Sequence, residues 1–169
     1  MKHVWLVLAA VFLATAAVAE TPKIGYVDLQ RALNESDAGK RAKEEFKSQV
    51  DKLQGGLKRQ KEDLERMKDQ LEKKGLVMKE QERAKLEEEY RRKLRDFERS
   101  YKDSQADLQR KDNELTGAIL KELQDIIRAY GEREGYTVIL EATSSAVLYG
   151  SRSADLTDTV MQEYNRRRP

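Results

Sequence analysis

The chain is 169 residues long and 38% charged, with 33 lysines and arginines against 31 aspartates and glutamates. A charge this dense and this balanced is the usual surface of long solvated helices, and it gives no sign of a nucleic-acid partner, which shows as a basic domain or stripe. There is no cysteine, and the one histidine, His3, falls in an apolar leader; disulfides, thiolate or imidazole catalysis and most zinc or copper sites are excluded, and neither metal nor cofactor is expected.

In the leader, Lys2 precedes an apolar run from Val4 to about Ala14, with small residues at Ala17 and Ala19. This is the layout of a secretory signal peptide, too short for a membrane span. Residues 1–19 are therefore set apart from the fold, and the mature exported chain is expected to start at Glu20.

After Pro22, from Lys23 to Leu29, the order Ile24, Gly25, Tyr26, Val27, Asp28 and Leu29 mixes β-branched and aromatic residues over the length of one strand. Leu29 to Leu33 has room for a helical turn, and Ser36 and Asp37 are caps for a long helix. In that helix Phe46, Val50, Leu53, Leu57, Leu64, Met67 and Leu71 keep a heptad spacing, with Gln60 in the missing slot. So narrow an apolar seam needs a partner helix. The stripe Leu86, Tyr90, Leu94, Phe97, Tyr101 and Leu108 supplies one after a break at Gly75, with a stutter where two four-residue steps follow each other.

Gly75 is expected as the C′ residue of the first helix, and Glu80 and Glu82 suit the positive end of the second. Gly55 and Gly56 sit inside the first helix, where each costs about 1 kcal/mol relative to alanine. Two readings compete: Gly56 makes room for the ring of Phe97, or the pair is a hinge in the arm.

Beyond Leu108 the stripe widens through Leu115, Ala118, Ile119, Leu123, Ile126, Ile127 and Tyr130, as for a helix buried against several neighbours. Gly131 and Gly135 are expected to stop it. Tyr136–Glu141 reads as the best strand of the chain, Ala146–Tyr149 as a further one, and Leu156, Val160, Met161 and Tyr164 as the apolar face of a short terminal helix.

These elements predict an α+β, mostly helical protein: a long antiparallel coiled-coil hairpin over 37–114, with its tip near 74–79, projecting from a small β-containing body built from 20–36 and 115–169. So small a body, without disulfide or metal, calls for strands shared between subunits. Ile24, Tyr26, Val27, Val138, Ile139, Leu140, Val147 and Leu148 are the candidate oligomerisation residues.

No phosphate loop, serine elbow or metal spacing is present, and the carboxylates lie among lysines and arginines on polar helical faces, so no catalysis is expected. A holding chaperone fits better, with modest attraction distributed along the arms. Lys73, Lys74, Leu76, Val77, Met78 and Lys79 form its candidate client-binding tip. An envelope spacer or adaptor that binds a specific partner through the tip is the alternative, although a single continuous coiled coil would give a spacer more reach. For the terminal Arg166, Arg167 and Arg168 two readings stand, transient contact with anionic membrane lipid or a merely solubilising end, and no nucleic-acid partner is expected.

Tyr26-Val27-Asp28-Leu29-Gln30-Arg31-Ala32-Leu33-Asn34-Glu35-Ser36, with Ala38-Gly39-Lys40, resembles the opening of the OmpH-like Skp family of periplasmic chaperones. Gly135-Tyr136-Thr137-Val138-Ile139-Leu140-Glu141-Ala142, Val147-Leu148-Tyr149 and Asp155-Leu156-Thr157-Asp158 resemble its closing part. The resemblance implies a homotrimer: a β-barrel-like body, with three hairpin tentacles around a cavity that holds unfolded outer-membrane β-barrel proteins in the periplasm without ATP. From Lys58 to Lys93 this arm has thirteen basic and ten acidic residues. Electrostatic capture is therefore expected to be weaker and more salt-tolerant than on strongly basic arms.

Overall fold

The computed structural model describes residues 21–144 and 147–167; the leader lies outside them. In chain order they form β1 (Ile24–Val27), α1 (Leu29–Glu35), α2 (Asp37–Lys74), α3 (Glu80–Glu134), β2 (Val138–Glu141), a 3-10 turn (Arg152–Ala154) and α4 (Thr157–Arg167). The two long helices run out and back as an arm, and everything else gathers at its root.

Local chemistry sets the boundaries. The Asp28 side chain accepts from the Arg31 amide at 2.8 Å and opens α1. Ser36 then does two things. Its amide donates to the Ala32 carbonyl at the end of α1, while its hydroxyl accepts from the Gly39 amide at 3.1 Å and opens α2. The turn is so tight that a Cβ on Gly39 would run into the Leu33 carbonyl. Gly135 ends α3 in the left-handed conformation, at φ 69°.

Gly131 does not stop α3 as expected. It lies within the last helical turns, buried, where the side chain of Ile139 approaches within 3.1 Å of the point a Cβ would occupy. Gly75 also differs from expectation: it is the C-cap of α2, with right-handed φ −59° and ψ −31°, so its role needs no left-handed residue.

β1 and β2 pair in parallel, with Ile24 opposite Val138 and Tyr26 opposite Leu140. The second strand begins two residues later than predicted, because the Tyr136 amide is used to close α3 by donating to the Gly131 carbonyl at 2.9 Å. On the other side of β1, the Leu156 amide donates to the Tyr26 carbonyl at 2.9 Å. The predicted strand at 146–149 is not found: residues 147–150 have no regular structure, and Ala146 lies outside the described residues.

Val27, Ala32, Ala38, Ile119, Leu123, Ile126, Leu156, Val160 and Tyr164 make one core beneath the arm. Tyr164 is buried, and its hydroxyl donates to Glu122 at 2.8 Å. Glu163, the residue before it, accepts hydrogen bonds from both terminal guanidinium nitrogens of Arg133 at 3.1 and 3.0 Å and from one of Arg167 at 2.9 Å. Arg31 reaches Asp158 at 3.0 Å and ties α1 to the start of α4. The terminal helix is thus clamped at both ends around an apolar middle.

Leu123 has no exposed surface. Leu123→Ala should cost about 2–5 kcal/mol, measured from urea unfolding of the body, because the cavity adds to the lost apolar burial. The Glu163 carboxyl is held down to about 2, from an ordinary 4.5, chiefly by the Arg133 hydrogen bond. Its stabilisation is complete above about 4.5 and is lost as pH falls toward 2. Melting temperature should therefore drop less steeply over that window in Glu163→Gln than in the parent. Some slope should persist from Glu141, also held down to about 2 by the Ser144 side chain and amide. Parallel curves for variant and parent would contradict this assignment.

Candidate functional site

The arm is held together unevenly. On α2, Leu64 and Met67 are buried, but Phe46, Val50, Leu53 and Leu57 are only half-buried. On α3, Leu86, Tyr90, Leu94 and Phe97 are half-buried and Tyr101 is half-exposed. Among the described residues one ion pair joins the two helices, Lys111 to Glu45 at 2.8 Å. The others along the arm are pairs such as Lys58–Glu62 and Lys61–Glu65, spaced three or four residues apart within one helix. These are solvated, and each contributes little.

Between the root contact at Glu45 and the buried pair Leu64 and Met67 lie Gly55 and Gly56. A Cβ on either would meet nothing within 4 Å. The packing reading for Gly56 beneath Phe97 therefore fails: no ring comes close enough to require a missing side chain. Glycine at either position restricts the helix backbone less than alanine would, in a section of α2 whose apolar residues are only half-buried.

The tip residues come together at the end of the arm. Leu76 is 96% and Val77 85% exposed, while Met78 is half-buried. Lys73 turns back along α2 to Asp69, whose hydrogen bond raises its pKa. Lys74 and Lys79 meet no carboxylate among the described residues. Lys79 is also the N-cap of α3 without a side-chain cap bond, and Glu80 and Glu82 occupy the first turn as expected.

The candidate oligomerisation residues divide by the pleat of the strands. Val27 is buried and Ile139 packs against the same core, so both serve the subunit's own interior. Ile24, Val138 and Leu140 are 52%, 40% and 37% exposed, on the opposite face with Tyr26. Leu148 is 99% and Tyr149 88% exposed, and Val147 is half-buried. The two-stranded sheet is therefore packed against helices on one face, while the apolar side chains of its other face stay partly exposed.

Sequence reasoning missed the pairs that fasten α4. Arg133 to Glu163 spans 30 residues and Tyr164 to Glu122 spans 42. Neither leaves a local spacing to find; the one hint is that Glu163 stands beside Tyr164 on the apolar side of an otherwise polar turn.

An extended two-helix arm on a small α/β root, with its free surface spread along helices, is the build of a binding protein. Among the described residues no group of three or more His, Cys, Asp or Glu is arranged to hold a metal ion, and no helix is long and apolar enough to cross a membrane. The chain belongs to the OmpH-like outer membrane protein family, whose model matches residues 23–164.

Its relatives include proteins named Chaperone protein Skp. That of Yersinia enterocolitica is 31% identical over 94% of this chain and 97% of its own length. That of Pectobacterium atrosepticum is 28% identical over 92% and 93%. These are chaperones by name, not enzymes. A crystal structure of an OmpH-like protein from Caulobacter crescentus CB15 shares the fold, with a TM-score of 0.79 over 87% of this chain and 86% of that one, at 18% identity.

Gly55→Ala with Gly56→Ala should stabilise α2 by up to about 1 kcal/mol per site. It should also slow backbone amide exchange over residues 50–60 while leaving the body unchanged. Exchange as fast as in the parent would show that the glycines do not soften the arm.

Proposed function

We propose that this protein is an ATP-independent holding chaperone of the periplasm, which keeps unfolded outer-membrane β-barrel proteins from aggregating in a cavity between the arms of a homotrimer. The observation that carries this reading is the pairing of a long, loosely seamed arm with a body whose two-stranded sheet leaves Ile24, Val138 and Leu140 bare. Family membership and the chaperone names of the relatives support the activity. The bare sheet face and the free edge of β2 support assembly, since strands from neighbouring subunits would cover both.

On this reading the client is held by many weak contacts along the arms, which permits release without an energy source. Leu76 and Val77, with Lys73, Lys74, Met78 and Lys79, contribute at the tip, and the joint at Gly55 and Gly56 adjusts the arm to clients of different size. The signal peptide at residues 1–19 delivers the chain to the periplasm.

Native mass spectrometry on residues 20–169, alone and after mixing with a β-barrel protein diluted out of urea, tests this reading. A trimer that gains one client is expected. A trimer that ignores the client would favour an envelope adaptor working through its tip, and a monomer would refute the shared body. Val138→Glu with Leu140→Glu should dissociate the trimer; an intact trimer in that variant would mean this face of the sheet looks onto solvent.

A further inference from the structure

At the root of the arm the two long helices present the same spacing to each other. On α2, Gly39, Ala42, Lys43 and Phe46 stand at i, i+3, i+4 and i+7 and so share one helical face. The same steps recur on α3, from Asp112 through Leu115 and Thr116 to Ile119. Between the two faces lies a cleft of about 250 Å³, lined at the body end by Leu33 of α1. Leu33, Phe46 and Leu115 are half-buried around it, Ile119 is buried, and Lys43 and Asp112 are exposed.

The cleft is open because two of its four α2 positions carry little or no side chain. Gly39 has no room for one, since a Cβ there would run into the Leu33 carbonyl, and Ala42 adds a single methyl. The ion pair of Lys111 with Glu45, at 2.8 Å, joins the helices at this level. Glu45 lies about 200° round α2 from Lys43, so that pair ties the other side of the arm and leaves the cleft unobstructed. Lys43 and Asp112 themselves pair with no charged group among the described residues. One helix thus brings a free donor to the cleft and the other a free acceptor.

We propose that this cleft anchors one aromatic side chain of an extended client segment, whose neighbouring main-chain N–H donates to Asp112 and whose C=O accepts from Lys43. On the holding-chaperone reading, on which this assignment rests, the clients are unfolded β-barrel proteins. Barrel strands alternate apolar and polar residues and carry aromatic girdles, so every such client brings rings on extended chain. At about 250 Å³ the cleft falls below the roughly 300–1,000 Å³ of a small-molecule site and has room for a single ring. A slot between two packed helices suits a planar group, and Phe46 offers it an aromatic neighbour. One cation and one carboxylate at the rim complement an uncharged amide, which has both an acceptor and a donor, whereas a charged client group would meet a like charge there. Ile119 belongs to the core of the body and gives the cleft a rigid floor.

Peptide binding and client release, both measured on residues 20–169, test the assignment. A blocked peptide with phenylalanine at its centre and threonine and glutamine around it should shift the NMR signals of Leu33, Phe46 and Leu115. Its leucine counterpart should bind about tenfold more weakly. Ala42→Met, which fills the cleft, should abolish those shifts and speed the release of a urea-diluted β-barrel protein about tenfold, with helicity and oligomeric state unchanged. Lys43→Met with Asp112→Leu alters two exposed positions and leaves the walls alone; it should weaken peptide binding severalfold. Because the rim pair is neutral overall, these differences should persist at high salt. Shifts elsewhere on the arm, equal binding of the two peptides, or parent-like release from Ala42→Met would overturn the proposal. Dissociation of the oligomer by Ala42→Met would assign the cleft to a subunit contact and overturn it too. Where Ala42→Met loses helicity, the rim variant decides, and unchanged peptide binding in it sinks the anchor. Peptide bound at the cleft of a protein that holds no client would keep the aromatic site and refute the chaperone reading instead.

Discussion

The parallel pairing of β1 with β2 governs the rest of the architecture. Ile24 lies opposite Val138, so everything between them must leave the body and return to it on the same edge. Two antiparallel helices do this with one turn, but α3 has to be longer, because parallel strands require the chain to come back to the start of the sheet and not to its end. With 38 residues in α2 and 55 in α3, the return helix runs past the start of its partner by about 25 Å. That overhang carries Ile119, Leu123 and Ile126, the apolar residues around which α1 and α4 assemble. The sheet, the arm and the core are consequences of one closure.

Legibility in the sequence followed the range of the interaction. The Ser36 cap, the heptad seam of α2, the break at Gly75 and the apolar face of α4 depend on neighbours within a few residues, and these were readable. Where expectation and structure part, a distant partner decides. Gly131 looks like a stop because glycine is a poor helix former, yet it stays helical because Ile139 needs its space. The segment at 147–149 has strand composition but no regular structure: β1 is already flanked by β2 and, through the Tyr26–Asp155 bridge, by the start of the last segment, and among the described residues nothing pairs with the outer edge of β2. Gly56 and Phe97 match in sequence register, yet matching along two helices does not put two side chains in contact when the seam between them is loose.

Charge shows the same limit in another form. Thirteen basic and ten acidic residues from Lys58 to Lys93 describe a mild surface only if they are mixed on every face. Helical geometry sorts them: carboxylates on α3 fall mainly toward its flanks, where Glu87 and Glu89 meet Arg83 and Lys93, and the back of the helix keeps the cations. A partner meets a face and not a composition, so electrostatic attraction is set by that local excess within a Debye length of about 8–10 Å.

Packing is uneven along the molecule. The body is closed by buried Leu123, Val160 and Tyr164 and by the Arg133–Glu163–Arg167 cluster. The arm beyond Glu45 is joined by half-buried side chains until Leu64 and Met67, with two unencumbered glycines between. Local opening takes the weakest path, so the hinge proposed at Gly55 and Gly56 would place fluctuations in that middle section and spare the root. For the proposed chaperone this allows the arms to adapt to a client while the subunits stay assembled. A uniformly tight seam would lose the adaptation, and a uniformly loose one would spread the motion into the sheet through which the subunits are proposed to join.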